Sequence, residues 1–169
     1  MTVCPALDPE RLRMAVTYLR EEDFRERFDI ADFVAATRQS FELYGAGQII
    51  NPPRQESVEE QDGTSRFRLD MPATWTGQYR VRKIIEEVSN VGSGHLGSRE
   101  AWIELEDLTS GAQVRLDAGY ITDMRTGAAG ALAVDFLSGH DVRRVSILGT
   151  GRIARCLTLA CDHLFDLEE

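Results

Sequence analysis

The fold is decided by residues 142–154, which read VRRVSILGTGRIA. Val142 to Leu148 is apolar enough for a strand within a sheet, and a helical pattern begins directly after the glycine turn. Gly149 permits a tight turn, Gly151 allows the backbone to approach a pyrophosphate, and Ala154 is small enough for the helix to pack on the strand. The start of that helix adds N–H groups and positive potential. The unit predicts dinucleotide binding, with a plain strand–turn–helix connection as the alternative.

A complete dinucleotide site needs a second strand that ends in an acidic residue about 20 positions further on. The chain ends at Glu169, and Asp166 and Glu168 come too early for that role. One strand and one helix would leave a parallel sheet with unpaired edges. We therefore expect residues 1–140 to form one domain and residues 141–169 to begin a second, nucleotide-binding domain that is incomplete in this chain.

The residues before this unit predict helices at both ends and strands between them. The predicted helices are one that begins at Asp8-Pro9 and continues to Leu19, one from Asp29 to Tyr44 with Gly45 as a left-handed cap, and one from Ile121 with Thr122 or Asp123 as its cap. The predicted strands are 48–50, 66–69, 79–88, 101–106 and 113–117, the last two joined as a hairpin, with loops at 55–65 and 90–97. The fold class is α/β: an α+β domain with a mixed sheet, then the first strand and helix of an incomplete Rossmann fold.

Composition excludes several classes of protein. The 169 residues are 43% hydrophobic and 28% charged with a net charge of −9, which is too apolar for a disordered chain and too acidic for a typical nucleic-acid binder. No apolar run approaches the roughly 20 residues of a membrane span, and residues 1–10 lack the pattern of a secretory signal. Cys4, Cys156 and Cys161 lack the spacing of metal ligands or of a disulfide framework. We expect a soluble cytoplasmic protein that binds no metal, nucleic acid or membrane.

Three basic residues occupy positions that suit an anionic ligand. Arg54 follows two prolines that restrict its backbone, and Lys83 lies within an apolar strand beside Arg82. Arg125 is expected in the first turn of its helix, where a cation opposes the helix dipole and favours an anionic partner. If these residues converged, they would bind a substrate carboxylate. For each residue alone, a solvated or salt-bridged surface charge is the simpler interpretation.

Small residues are dense in the same predicted helix, where Gly127 and Gly130 alternate with alanines. Each glycine lowers the helix propensity by about 1 kcal/mol, so we expect another backbone or a ligand to approach closely there. The histidines, in contrast, indicate no catalytic triad: His95, His140 and His163 are expected to be ordinary loop or surface residues. The acidic residues within 56–62 are expected in a solvated loop.

Two segments together carry a resemblance to a known family. Residues 120–133, YITDMRTGAAGALA, and residues 145–154, VSILGTGRIA, resemble the ornithine cyclodeaminase/mu-crystallin family, whose hallmarks are an L-T-x-x-R-T-A-A helix and an I-G-x-G-x-Q-A turn. Residues 51–54 are similar to its M-P-x-R segment, residues 71–73 to its M-P-A/G segment, and residues 79–85 to its G-x-K-x-V strand. All five elements occur in the family's order, from about Phe28 onward.

The resemblance implies a fold and an activity. Members have an α/β domain that binds substrate and forms the dimer, and a Rossmann domain that binds NAD(H) or NADP(H). Their reactions include ornithine cyclisation with loss of ammonia, alanine dehydrogenation and ketimine reduction, all through hydride transfer at the α-carbon of an amino or imino acid. The resemblance implies that Arg54, Lys83 and Arg125 bind the substrate carboxylate, and that Lys83 is catalytic through proton transfer at the imine.

The resemblance also implies a set of cofactor-binding residues. They are Gly149, Thr150, Gly151, Arg152, Ile153 and Ala154 of the turn, together with Arg125, Thr126 and Ser98 near the cofactor. The sequence departs from the family where Arg152-Ile153 replaces the usual glutamine. Arg82 beside Lys83 leaves a one-residue ambiguity, which we resolve for Lys83 because Ile84-Ile85 then match the family's apolar pair.

Two hypotheses follow. In the first, the chain is the N-terminal part of an NAD(P)-dependent amino-acid dehydrogenase or cyclodeaminase-like enzyme, inactive alone, and it works as a homodimer or with a polypeptide that supplies the C-terminal half. In the second, it is a non-catalytic remnant that dimerises or binds a carboxylate. Apolar residues near the end of the chain, which would be exposed in an isolated fragment, predict a partner: Ile153, Leu157, Leu164 and Phe165.

Overall fold

The computed structural model describes residues 16–92, 96–138 and 141–168. The strands are β1 (Thr17–Leu19), β2 (Ile49–Ile50), β3 (Gln55–Gln61), β4 (Thr64–Trp75), β5 (Tyr79–Asn90), β6 (Leu96–Asp107) and β7 (Gln113–Asp117). The helices are α1 (Glu21–Phe24), α2 (Ile30–Gly45), α3 (Gly119–Ser138) and α4 (Arg152–Leu164). The described residues form two compact units, which we call the sheet unit (16–19 and 50–116) and the helical unit (20–49 and 117–168).

The sheet unit is built on a mixed sheet, as expected. Its strand order is β1-β7-β6-β5-β4-β2, and β3 pairs with β4 beside this path. The β3–β4, β4–β5 and β5–β6 pairs are antiparallel, whereas β1 and β7 are parallel. Ile84 and Ile85 of β5, the central strand of the antiparallel part, are both buried. The predicted strands at 48–50, 66–69, 79–88, 101–106 and 113–117 are confirmed.

Both loops predicted within this region are wrong in part. Residues 55–61 form β3, which pairs with β4 across a tight turn where Asp62 and Gly63 have φ of 52° and 74°. Every residue of β3 is exposed, so the strand shows no apolar alternation and only its backbone pairing reveals it. The glycine-rich segment is also shorter than predicted, because β5 continues through Asn90 and β6 begins at Leu96.

The helical unit confirms the predicted helix after Asp29. The Asp29 carboxylate accepts hydrogen bonds from the backbone N–H groups of Ala31 at 2.9 Å and Asp32 at 3.2 Å, which satisfies two donors at the helix start. The C-terminal prediction is wrong by two residues. Gly45 is the last helical residue, and Gly47, with φ of 71°, takes the left-handed conformation instead.

The first predicted helix lies mostly outside the described residues, and its described end is wrong. Thr17–Leu19 forms β1, which pairs with Val114–Leu116 of β7 in parallel. A β-branched residue and a tyrosine suit a strand, and a partner far along the chain supplies the backbone hydrogen bonds. The spacing that predicted a helix here is therefore overridden by tertiary pairing.

The core of the helical unit lies where α2, α3 and α4 meet. Its buried residues are Val34, Ala128, Ala131, Leu132, Ala160 and Cys161. Leu157, Leu164 and Phe165 pack against this core, so the prediction that they would be exposed is wrong, whereas Ile153 is 47% exposed. The apolar face of α4 packs mostly within its own unit. The exposed apolar surface left for a partner is therefore smaller than the sequence suggests.

The strand predicted at Val142–Leu148 is wrong in this structure. The segment is without regular secondary structure, and Leu148 at its end is fully exposed. Val145 packs against the core of the helical unit, and Arg143 accepts a backbone hydrogen bond from Glu168 at 2.9 Å. A parallel strand needs a neighbouring strand to pair with its N–H and C=O groups, and none of the described residues provides one for this segment.

Among the described residues there is no helix long and apolar enough to cross a membrane.

Candidate functional site

The two motifs of the helical unit meet where α3 and α4 cross. A Cβ placed on Gly127 of α3 would lie 2.5 Å from the carbonyl carbon of Cys156 in α4 and 2.6 Å from the backbone nitrogen of Leu157. Only glycine allows the two backbones to touch in this way. The expectation that another backbone approaches the glycine-rich helix is confirmed, and that backbone belongs to α4.

Measured along the helix axes, candidate residues of both helices lie within about one turn of this crossing. Arg125 precedes Gly127 by two residues, which is about 3 Å of helix rise, and Arg152 precedes Cys156 by four residues, or about 6 Å. The N-terminus of α4 therefore lies within about one turn of the crossing. Gly130 adds a looser contact one turn further on, where a Cβ would lie 3.0 Å from Cδ1 of Leu157.

The glycine turn leads into α4 as the sequence predicts, although no strand precedes it. Gly149 has φ of 117°, which disfavours any other residue, and Gly151 is the N-cap of α4. No side chain caps the helix, and its first turn carries no acidic residue. A Cβ on Gly149 or Gly151 would meet no atom of the described residues within 4 Å. The turn is an open cradle lined by backbone, and this fits a pyrophosphate group at a helix N-terminus.

Arg152, at the first position of α4, is held by a residue of α3 that sequence analysis did not single out as a site residue. Its Nε lies 3.2 Å from Oδ2 of Asp123, and the two side chains are 77% and 15% exposed. Asp123 was predicted only as a possible cap, and that prediction is wrong together with the one for Thr122, because α3 begins earlier, at Gly119. The L-T-x-x-R-T motif leaves this position unspecified, so the sequence carried no signal for the contact with Arg152.

Arg125 and Thr126 follow on the same helix. Arg125 is exposed and is the seventh residue of α3, so its predicted place in the first turn is wrong and the helix dipole says little about it. The Thr126 hydroxyl donates to the backbone carbonyl of Thr122 at 2.6 Å. Its oxygen can still accept a hydrogen bond from a ligand.

The sheet unit holds the remaining candidate residues. Lys83 is half-buried in β5, where its register partners are Met71 of β4 and Ile103 of β6. These three residues share a face of the sheet, so the Lys83 side chain leaves the strand among apolar neighbours.

Arg82 points to the opposite face, where it makes a different kind of contact. Its guanidinium bonds both carboxylate oxygens of Asp70, which is buried with 8% exposure. This hydrogen bonding, together with the charge of Asp70, raises the pKa of Arg82 above its usual value. Arg82 is therefore engaged within its own sheet.

Arg54 and Ser98 are both exposed in the sheet unit. Arg54 follows β2, and its Nε lies 2.9 Å from a carboxylate oxygen of Glu56. Ser98 lies in β6 opposite Val88, next to the irregularity between Val88 and Ser89. The exposed Arg54–Glu56 pair is of the type that stabilises a fold by only about 0–1 kcal/mol, so a substrate carboxylate could replace Glu56 at little cost.

The two described cysteines are poorly suited to act as nucleophiles. Burial raises the pKa of the Cys156 and Cys161 thiols, which disfavours the thiolate that a nucleophile needs. Cys4, His95 and His140 lie outside the described residues. Within the described ranges no group of three or more His, Cys, Asp or Glu side chains could hold a metal ion.

Comparisons with known proteins identify relatives over nearly the whole chain. The model of the Ornithine cyclodeaminase/mu-crystallin family matches residues 15–169. An alanine dehydrogenase of Archaeoglobus fulgidus is 27% identical over 157 residues, which are 92% of this chain and 47% of that protein. The chain thus spans about half the length of the curated relatives that it matches.

Solved structures show the same fold. An archaeal alanine dehydrogenase dimer with bound NAD has a TM-score of 0.69 and 26% identity, covering 90% of this chain and 46% of that one. A Δ1-pyrroline-2-carboxylate reductase of Thermococcus litoralis, in complex with NADH and L-proline, has a TM-score of 0.74 and 24% identity, covering 90% and 47%. An iminosuccinate reductase of Paracoccus denitrificans in complex with NAD+ has a TM-score of 0.74 and 13% identity, covering 91% and 48%. These neighbours hold NAD or NADH, which supports the expected cofactor class.

Proposed function

The chain belongs to the ornithine cyclodeaminase/mu-crystallin family, and from this we propose that it is the N-terminal part of an NAD(P)-dependent amino-acid dehydrogenase or cyclodeaminase-like enzyme. Its substrate is an amino or imino acid, and the reaction is hydride transfer at the α-carbon. The rest of the active site comes from a further region or from a complementing polypeptide. A cytoplasmic location belongs to the same proposal.

The observation that carries this proposal is the crossing of α3 and α4. It places Arg125, a candidate for the substrate carboxylate, and the glycine turn, a candidate for the pyrophosphate, on two helices whose backbones touch at Gly127. A hydride transfer requires the cofactor and the α-carbon of the substrate to be held in one fixed arrangement. Two helices in backbone contact provide a rigid base for such an arrangement.

Each group of residues has a distinct role in the proposal. Gly149, Gly151 and Ala154 receive the pyrophosphate, whose charge the N–H groups at the start of α4 stabilise. Arg54, Lys83 and Arg125 bind the substrate carboxylate, and Lys83 also gives or takes a proton at the substrate nitrogen. NAD or NADP, when bound, accepts or donates the hydride. Thr126 and Ser98 contribute polar contacts near the cofactor.

Exposed apolar side chains of the helical unit support a partner for this surface. They are Phe136, Leu137, Leu148, Ile153 and Leu159, all at least 47% exposed. Contiguous exposed apolar surface marks interfaces, and a partner would cover side chains of this kind. We propose a homodimer or a complementing C-terminal-half polypeptide as the occupant. Light scattering at micromolar concentration measures this, and a monodisperse monomer would contradict a self-associating chain.

Ligand binding tests the proposed site directly. Calorimetric titration of the 169-residue chain with L-alanine, L-proline or pyruvate should detect carboxylate binding that Arg125→Ala abolishes. Arg125 is exposed, so its replacement should change the free energy of unfolding by less than about 0.5 kcal/mol. Arg155→Ala, an exposed arginine in α4, is the matched control and should bind as the wild type does.

The outcomes separate the proposal from its alternative. Equal affinity in the wild type and Arg125→Ala would refute the carboxylate assignment. Carboxylate binding without any binding of NAD(H) or NADP(H) would instead favour a non-catalytic, carboxylate-binding remnant. We expect no NAD(P)-dependent turnover from the isolated chain, and steady oxidation of NADH in the presence of pyruvate and ammonia would contradict the need for a complementing region.

A further inference from the structure

We propose that Asp123 is a positioning residue for the dinucleotide site: it holds the Arg152 guanidinium at the glycine turn, so that Arg152 contacts the pyrophosphate and screens it from the Asp123 carboxylate. This inference rests on the proposed function, because it assumes that a pyrophosphate group occupies the turn. It assigns a role to a residue outside the glycine motif and on a different helix.

The first argument is electrostatic. Arg152 is the first residue of α4, whose first turn carries no acidic residue and whose N-cap, Gly151, has no side chain to accept hydrogen bonds. A cation at this position is unfavourable because it faces the positive end of the helix dipole. Asp123 supplies the missing negative charge from α3, with 3.2 Å between its Oδ2 and Nε of Arg152. The pair therefore offsets the unfavourable charge at the helix start.

The second argument is geometric. Asp123 precedes Gly127 by four residues, and Arg152 precedes Cys156 by four residues, so both members of the pair lie one turn before the contact between the two backbones. Because the crossing is a backbone contact, the pair has little freedom to separate. The Asp123 side chain is 15% exposed and the Arg152 side chain is 77% exposed. The carboxylate is thus the fixed partner, and the guanidinium extends toward solvent.

The third argument concerns the hydrogen-bonding capacity of arginine. A guanidinium has five N–H donors in a rigid plane, and the contact with Asp123 is made through Nε. The two terminal nitrogens form the edge that pairs with phosphate oxygens. A phosphate at the glycine turn can therefore bind to that edge while Asp123 keeps the Nε contact, which places one cation between two anions.

This arrangement predicts effects that are not additive. Arg152→Gln removes the cation and leaves the Asp123 carboxylate uncompensated beside an incoming pyrophosphate. Asp123→Asn leaves the cation in place and removes only its support. The double variant removes both charges together and so removes the repulsion. Removal of Asp123 should therefore strengthen binding when Arg152 is absent, whereas it should weaken binding when Arg152 is present.

The experiment follows binding by NMR on the 169-residue chain. Inorganic pyrophosphate and NADH are titrated separately, and affinity is taken from the amide shifts of residues 149–154. The Nε–Hε signal of Arg152 reports on the guanidinium itself. If the Asp123–Arg152 pair only stabilised the fold, the chemical shift of this signal would not change when ligand is added. We expect Arg152→Gln to weaken binding about tenfold and Asp123→Asn, which removes the support of Arg152, to weaken it about threefold. The double variant should bind more tightly than Arg152→Gln, within about threefold of the wild type. Arg155→Gln, with the same charge change one turn along α4, should bind as the wild type does.

Each remaining outcome has a defined meaning. Wild-type affinity in Arg152→Gln or in Asp123→Asn, or a double variant as weak as Arg152→Gln, overturns the inference while leaving the proposed function intact. The same holds if the Nε–Hε signal does not respond to either ligand. If neither pyrophosphate nor NADH shifts residues 149–154 of the wild type at millimolar concentration, the inference and the proposed dinucleotide site fall together.

Discussion

Replacement of Gly127 by alanine is the sharpest test of how the helical unit is assembled. The new Cβ would lie 2.5 Å from the carbonyl carbon of Cys156, whereas carbon atoms in contact need about 3.5 Å. The neighbour is backbone and cannot rotate away, so α3 and α4 must separate by about 1 Å. That separation loosens the buried cluster around Ala128 and Ala160.

The magnitude follows from two opposing effects. Overpacking of this kind destabilises by about 1–3 kcal/mol, and a clash with backbone belongs at the upper end of that range. Alanine gains about 1 kcal/mol in helix propensity over glycine. We therefore expect a net loss of about 2 kcal/mol in the free energy of unfolding, which lowers Tm by about 4–8 °C for a chain of this length.

The assay can separate the two units. Both tryptophans, Trp75 and Trp102, lie in the sheet unit, and all helices among the described residues lie in the helical unit. Circular dichroism at 222 nm therefore follows the helical unit during urea or thermal unfolding, while tryptophan fluorescence follows the sheet unit. The Gly127→Ala transition should shift in the helical signal.

The control is Gly45→Ala, at the exposed last residue of α2. Its Cβ would meet nothing within 4 Å, so the substitution should be neutral or stabilise by up to about 1 kcal/mol. A Gly127→Ala variant as stable as Gly45→Ala would refute the backbone contact between α3 and α4, and with it the rigid base proposed for the site.

Three further variants test separate parts of the fold. Asp29→Ala should destabilise the helical unit by about 1 kcal/mol, because the helix cap is lost, and urea unfolding followed at 222 nm measures it. Gly97→Ala should lower the sheet-unit transition seen by fluorescence, since its Cβ would lie 2.8 Å from the carbonyl oxygen of Val88; an unchanged midpoint would contradict the bulged β5–β6 pairing. Hydrogen bonds, chiefly from the Thr109 hydroxyl, lower the pKa of Asp107 to about 2, below its unfolded value of about 4. The stability from this depressed pKa is therefore present above about pH 4 and is lost as the pH falls toward 2. Thr109→Val should raise the pKa of Asp107 in an NMR titration, and an unchanged value would contradict the assigned cause.

Local patterns in the sequence predicted the elements whose stabilising contacts are also local. The helix after Asp29 is predicted by an N-cap residue and an apolar stripe, and both are properties of residues close together in sequence. The hairpin that contains Gly111 and the helix that follows Gly151 were predictable for the same reason. The Gly127 region was recognised as a close approach, although its partner could not be identified without the fold.

Elements that depend on distant partners were predicted poorly. β1 exists because Val114–Leu116 lies beside it, and β3 exists because β4 pairs with it although every β3 side chain is exposed. Residues 142–148 have the composition of a strand but no strand beside them among the described residues. In each case, whether the segment forms a strand depends on a partner strand that is remote in sequence and that supplies the backbone hydrogen bonds.

The sequence by itself determined the family, the mixed α/β class and the glycine turn, because these depend on residue types at fixed short spacings. Only the tertiary structure decided that the glycine turn lies about one turn of helix away from the backbone contact between Gly127 and α4. It also decided that Arg152, which directly follows the glycine turn, is paired with Asp123. The physical reason is that a crossing of two helices joins residues about 30 positions apart through contacts of a few ångströms. No periodicity within either helix specifies which residues of the other will be touched.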